Sequence, residues 1–128
     1  MAVTVSTIAD PLGTKLVIDV DADATAETNV TGAATSIYAV EIDNTANAVP
    51  VYLKLSNSAG SLTPGTTEPN MVIKCAALSK QTHMIGSGVV FDVGLGFWCV
   101  LSPYSLTNDD ADAANPPASS VPVKILCT

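Results

Sequence analysis

The single histidine, His83, and the three cysteines, Cys75, Cys99 and Cys127, carry the side chains in this 128-residue chain that do chemistry most readily near neutral pH. A structural zinc needs ligands at close, repeated spacing, such as Cys-x-x-Cys or His-x-x-x-His, and neither occurs. Nucleophilic catalysis needs a base beside a Ser or Cys, yet the Gly-x-Ser-x-Gly elbow is missing and the Cys75–His83 spacing marks no motif. His83 therefore reads as a structural residue within a short strand. Three widely spaced cysteines do not form a disulfide framework. Each lies in an apolar run, so all three are expected to be buried small hydrophobes.

The carboxylates offer a second chemistry. Asp19, Asp21 and Asp23 form an Asp-x-Asp-x-Asp run like the start of a calcium loop, but Ala24 stands where that loop needs Gly and Val30 where it needs Glu. An EF-hand is rejected. A looser divalent-cation site, with Glu27, and a second one at Asn108, Asp109, Asp110 and Asp112 stay open beside the favoured reading of solvated acidic loops. The acidic residues fall mostly in loops, so no carboxylate pair with glycosidase geometry emerges. Gly94-x-Gly96 is too short for a phosphate loop, and Asn29-Val30-Thr31 as a glycosylation acceptor means little without a secretory signal. No catalytic residue, cofactor or metal is assigned, and the chain is expected not to be an enzyme.

Charge narrows the partners. Five lysines and no arginine stand against 12 carboxylates, a formal net charge of −7, whereas a chain that grips phosphates needs clustered Lys and Arg. No nucleic acid is expected. No window approaches the roughly 18 uninterrupted apolar residues of a membrane span. Met1 to Asp10 lacks the basic and apolar regions of a signal peptide, so neither membrane insertion nor secretory export is expected.

The elements that must position these residues are strands. β-Branched residues dominate, and Gly or Pro recurs every ten residues or so, the rhythm of an all-β sandwich or barrel. Ala2–Ile8 is the first expected strand, Asp10-Pro11-Leu12-Gly13 a turn, and Lys15–Val20 the second strand. Asp21–Thr35, rich in Ala and Thr, reads as a surface loop or at most one short turn of helix. Ser36–Asp43 and Val49–Asn57 read as a hairpin. On its second arm Val49, Val51, Leu53 and Leu55 alternate with Pro50, Tyr52 and Lys54, the period of a strand with one buried face. Ser58–Asn70 is a loop, Met71–Ala77 and Lys80–Ile85 are short strands, and Val89–Leu101 is the most apolar run. Pro103–Ser120 is a polar loop and Val121–Cys127 the last strand. The expectation is one domain over 1–128, an antiparallel β-sandwich of about eight strands; jelly-roll and immunoglobulin-like orders both fit.

Four aromatic residues are candidate interface positions. Tyr38 and Tyr52 project from the faces opposite Ala39 and Leu53, so as hairpin neighbours they form an outer contact patch, or lie under cover within the domain. Phe97 and Trp98 point to opposite faces of one strand. A sandwich hides one face per sheet, so the second side of Val89–Leu101 must be covered, by a subunit interface in the favoured reading or by the Ala-rich loops in the alternative.

The order of a Val-x-Leu-Lys-Leu strand (Val51–Leu55), a Pro-Gly-Thr-Thr-x-Pro loop (Pro64–Pro69), a Phe-x-x-Gly-Leu strand (Phe91–Leu95) and an Ala-rich loop with a short terminal strand (Ala111–Leu126) resembles small β-sandwich virion proteins of tailed bacteriophages. The resemblance runs from Ile37 to Cys127 and carries no functional residue across. It implies a capsid decoration (cement) or minor structural protein, assembled in the host cytoplasm. Such a protein would bind other virion proteins, foremost the major capsid protein, as a homo-oligomer with a trimer favoured. A tail, baseplate or fibre-attachment component is the near alternative. A carbohydrate- or receptor-binding module, with Tyr52, Trp98 or Tyr104 stacking on sugar rings, is the distant one; it requires an exposed Trp98.

Overall fold

The computed structural model describes residues 13–128 and shows seven strands in two antiparallel sheets. They are β1 (Lys15–Ala22), β2 (Thr35–Asp43), β3 (Val51–Asn57), β4 (Met71–Cys75), β5 (Lys80–Phe91), β6 (Leu95–Val100) and β7 (Val121–Cys127). A four-stranded sheet runs β1-β7-β2-β5 and a three-stranded sheet β4-β3-β6. The all-β sandwich expected from the sequence is the observed fold. The expected strand Ala2–Ile8 lies outside the described residues. One turn of 3-10 helix, Ala111–Ala114, interrupts the loop before β7; Asp110 caps it by accepting a bond from the Asp112 amide.

Alternation builds the core. Val121, Val123, Ile125 and Cys127 of β7 and Ile37, Val40 and Ile42 of β2 face Val51, Leu53 and Leu55 of β3, and Leu95, Phe97 and Cys99 of β6 complete the layer. Strict period two would turn Val40 outward if Ile37 points inward. The register of β2 slips between Ile37 and Ala39 against both of its neighbours, and this bulge brings Ile37, Val40 and Ile42 all inside. Opposite the slip, Gly88 adopts φ +76° and leaves room for the Tyr38 ring; a Cβ there would sit 2.7 Å from Tyr38 Cε1.

Two pairing expectations are corrected. Ser36–Asp43 and Val49–Asn57 do not form a hairpin, because β2 belongs to the four-stranded sheet and β3 to the three-stranded one. Period two shows that a strand has one buried face, and it is satisfied equally by neighbours in a sheet and by strands facing across a core. The connection is an arch held by Asn44. Its buried amide donates to Val49 O at 2.9 Å and Ala76 O at 3.1 Å, taking carbonyls that no ladder reaches. Asn47 ties the same end to the last loop, donating to Ser119 O and accepting from Ser119 N. The second correction concerns Val89–Leu101, which is not one strand. Its first three residues end the 12-residue β5, Leu95–Val100 form β6 in the other sheet, and Asn57 holds the turn between them by accepting from the Val93 and Gly94 amides.

Asp21–Thr35 is more than a surface loop. Cys99 N donates to Asp23 O, Glu27 and Phe97 exchange both backbone bonds, and Val30 N donates to Leu95 O. The segment thus closes the edge that β6 would leave unpaired.

Replacing Asn44 by Ala removes the side-chain donor of Val49 O and one of the two side-chain donors of Ala76 O. We expect a loss of about 2 kcal/mol with an unchanged denaturant slope, read by urea unfolding.

Candidate functional site

The outer face of the three-stranded sheet is roofed. Lys54 and Trp98 sit opposite each other on β3 and β6 and are each 1 % exposed, on the side away from the main core. The loop after β6 lies over them: Leu101 N donates to Asn115 O, Ala113 is fully buried, and Lys54 Nζ donates to Tyr104 O. The loop after β3 locks onto this roof through Thr107 N donating to Gly65 O. Leu62 from that loop occupies the place where Gly96 lacks a Cβ. Burial holds the Lys54 ammonium below its ordinary pKa, and the Asp110 charge opposes that fall.

The four candidate interface residues accordingly separate. Phe97 lies in the core and Trp98 under the roof, both 1 % exposed, so neither offers a surface to a partner. For the β6 part of the apolar run, Leu95–Val100, the favoured cover, a subunit interface, is corrected to the alternative, loops of the same chain; Val90, at the end of β5, stays 68 % exposed. Tyr38 and Tyr52 are half-buried and lie in different sheets, so they form no common patch; Tyr52 pairs across to Val100 and Lys74. A sugar platform built on Trp98 loses its ring to the interior.

Most of the residues that suggested chemistry are buried or bonded within the chain. Cys75, Cys99 and Cys127 are buried with free thiols, and burial pushes Cys99 up to about 12, with Cys75, Asp23 and Asp19 adding to the rise. Asp19 and Asp23 accept from the amides of Asp21 and Thr25. Among the described residues no three His, Cys, Asp or Glu side chains converge as a metal set. In the second acidic cluster Asp110 accepts from the Asp112 amide and the Ser102 hydroxyl, which hold its carboxyl below the usual range. Asp43 is likewise lowered, first by the Thr45 hydroxyl and then by the Thr45 amide. His83 lies half-buried on β5, its Nε2 without a protein partner. Among the described residues no pocket opens.

What the structure leaves outward is a face that sequence reasoning missed. On the outside of the four-stranded sheet, Leu16 pairs with Leu126, Leu126 with Ala39, and Ala39 with Met84, a row that crosses all four strands. The next row runs Ile18, Lys124, Glu41 and Thr82. Leu16 and Ile18 are each 56 % exposed, Met84 66 % and Val90 68 %. The charges here balance: Lys80 pairs with Glu41 at 3.5 Å and stands opposite Asp43, and Lys124 flanks Glu41. The signal was present in β1 and β7, where Leu16-Val17-Ile18 and Ile125-Leu126 are apolar on both parities. No protein-family model, curated protein or solved structure matches the chain.

Two measurements test this assignment of roles. The three thiols stay silent to an aromatic disulfide reagent at pH 8 until the protein unfolds; fast labelling of the native protein contradicts it. The lowered Asp110 and Asp43 contribute stability that is complete above the ordinary value of 3.8 and lost as pH falls through their folded values. Asp110→Asn therefore flattens the acid limb of a melting-temperature profile and leaves the shape of the neutral region unchanged.

Proposed function

We propose that this protein is a non-enzymatic structural subunit that acts by docking, and that its place is a phage particle, most specifically as a decoration protein on the capsid. The observation that carries the docking role is the apolar row across the outer face of the four-stranded sheet. Sheet faces of this kind bind by shape and apolar burial. The body behind it is suited to that role. Its thiols lie in the core and Asp19, Asp23, Asp43 and Asp110 accept from nearby amides, while an arch joins the two sheets and a roof of loops from the same chain covers one of them.

The virion assignment rests on the resemblance of the segment Ile37–Cys127 to small phage β-sandwich proteins, and it implies the major capsid protein as the partner. A tail or baseplate position uses the same features. A receptor-binding role is less well supported, because Trp98 is enclosed.

Quantitative mass spectrometry of purified particles tests the reading. The chain should be present in intact particles and in tail-free heads, at a copy number on the scale of the capsid lattice. Presence in tails alone moves it to the tail, and absence from particles overturns the proposal.

A further inference from the structure

We infer that the occupant of the apolar row is a second copy of this chain, seated face to face about a twofold axis; this rests on the reading above that the face is a docking surface. Charge is the first argument. Two copies that each carry a net charge of −7 repel, and they approach best through a surface that does not share that excess. The outer face of the four-stranded sheet is such a surface, since Lys80 and Lys124 balance Glu41 and Asp43. The carboxylates Asp109, Asp110 and Asp112 belong to the opposite side of the sandwich, in the loop that roofs the other sheet.

Self-complementarity is the second argument. In a twofold contact residue i meets j and j meets i. Lys124 and Glu41 are cross-strand neighbours in the central strands, so a twofold between them sets Lys124 of one protomer against Glu41 of its partner, twice. The apolar row from Leu16 to Met84 then crosses its own copy. One patch meeting itself closes as a dimer, whereas a trimer needs two different patches.

Area is the third. Four strands at about 4.8 Å spacing and the nine residues of β2 at about 3.3 Å each make a face of roughly 19 by 30 Å, on the order of 600 Å² in plan. Two such faces together clear the roughly 1,000 Å² below which contacts are mostly adventitious, and fall short of a large obligate interface. An area at this lower limit fits a weak, reversible dimer.

Sedimentation of the full chain over about a hundredfold range of concentration tests this. The expected result is a passage from the monomer mass to twice that mass, little weakened by salt, because the contact is mainly apolar. Met84→Asp and Ile18→Asp, at exposed positions where the fold has no need of the side chain, should each raise the dissociation constant at least about tenfold. Ala39→Cys supplies a second readout, since the native thiols are buried: its maleimide labelling should slow as concentration rises through the same range. A monomer at every concentration, a dimer indifferent to both substitutions, or labelling that ignores concentration overturns the inference. A monomer whose introduced thiol is shielded at all dilutions does so as well, and assigns the cover to residues 1–12 of the same chain. A monomeric chain found in particles removes the dimer and leaves the structural role; a dimer absent from particles does the reverse.

Discussion

Lys54 beside Trp98 on the outer face of the three-stranded sheet is the constraint from which much of the architecture follows. An indole and an ammonium on a sheet face cannot be buried cheaply without a cover and an acceptor. The long loop between β6 and β7 supplies the cover and, for the ammonium, the acceptor: Tyr104 O accepts its hydrogen bond and Ala113 is buried, while the Trp98 indole N–H is enclosed without a protein partner. That loop is in turn held by Asp110, which caps the 3-10 turn, accepts from Ser102 and places a negative charge near Lys54. A second loop is fastened to the first at Gly65. Among the described residues the sandwich is therefore asymmetric, with a roof of loops over one sheet and an uncovered face on the other.

That asymmetry gives the bare face its meaning. The same chain that devotes two loops to one sheet leaves Leu16, Ile18 and Met84 more than half exposed on the other. Edge management follows the same division. The edge of β6 is closed by the segment from Asp23 to Val30, while β1 and β5 form the edges of the four-stranded sheet. Contact through a face needs no moving part and no reactive group. This fits a body whose thiols are buried and whose best-held carboxylates cap turns.

The arches at one end show how polar side chains do the work of a ladder where the chain changes sheets. Asn44 and Asn47 are both buried and both bond to backbone. The Asn44 amide donates only, where carbonyls converge, and the Asn47 amide donates and accepts at once. In the sequence, Asn44-Thr45-Ala46-Asn47 looks like any hairpin loop. Only the neighbours at Ala76 and Ser119, distant along the chain, reveal what those amides are for.

The sequence by itself determined the all-β class, the span of the last strand, the burial of the cysteines and the lack of a motif for metal or nucleophile chemistry. Those properties depend on local periodicity and on residue type. Tertiary structure alone decided which strands share a sheet, because alternation records that a face is buried and not what buries it. It decided the bulge at Tyr38–Ala39, which breaks the period that a sequence reading relies on. It also decided which apolar surface is left outside. Val89–Leu101 looked the most in need of a partner; its β6 part is covered by loops from elsewhere in the same chain, while Val90 stays outside. The shorter runs in β1 and β7 keep one side bare, because no loop of the described chain is positioned to reach across that sheet.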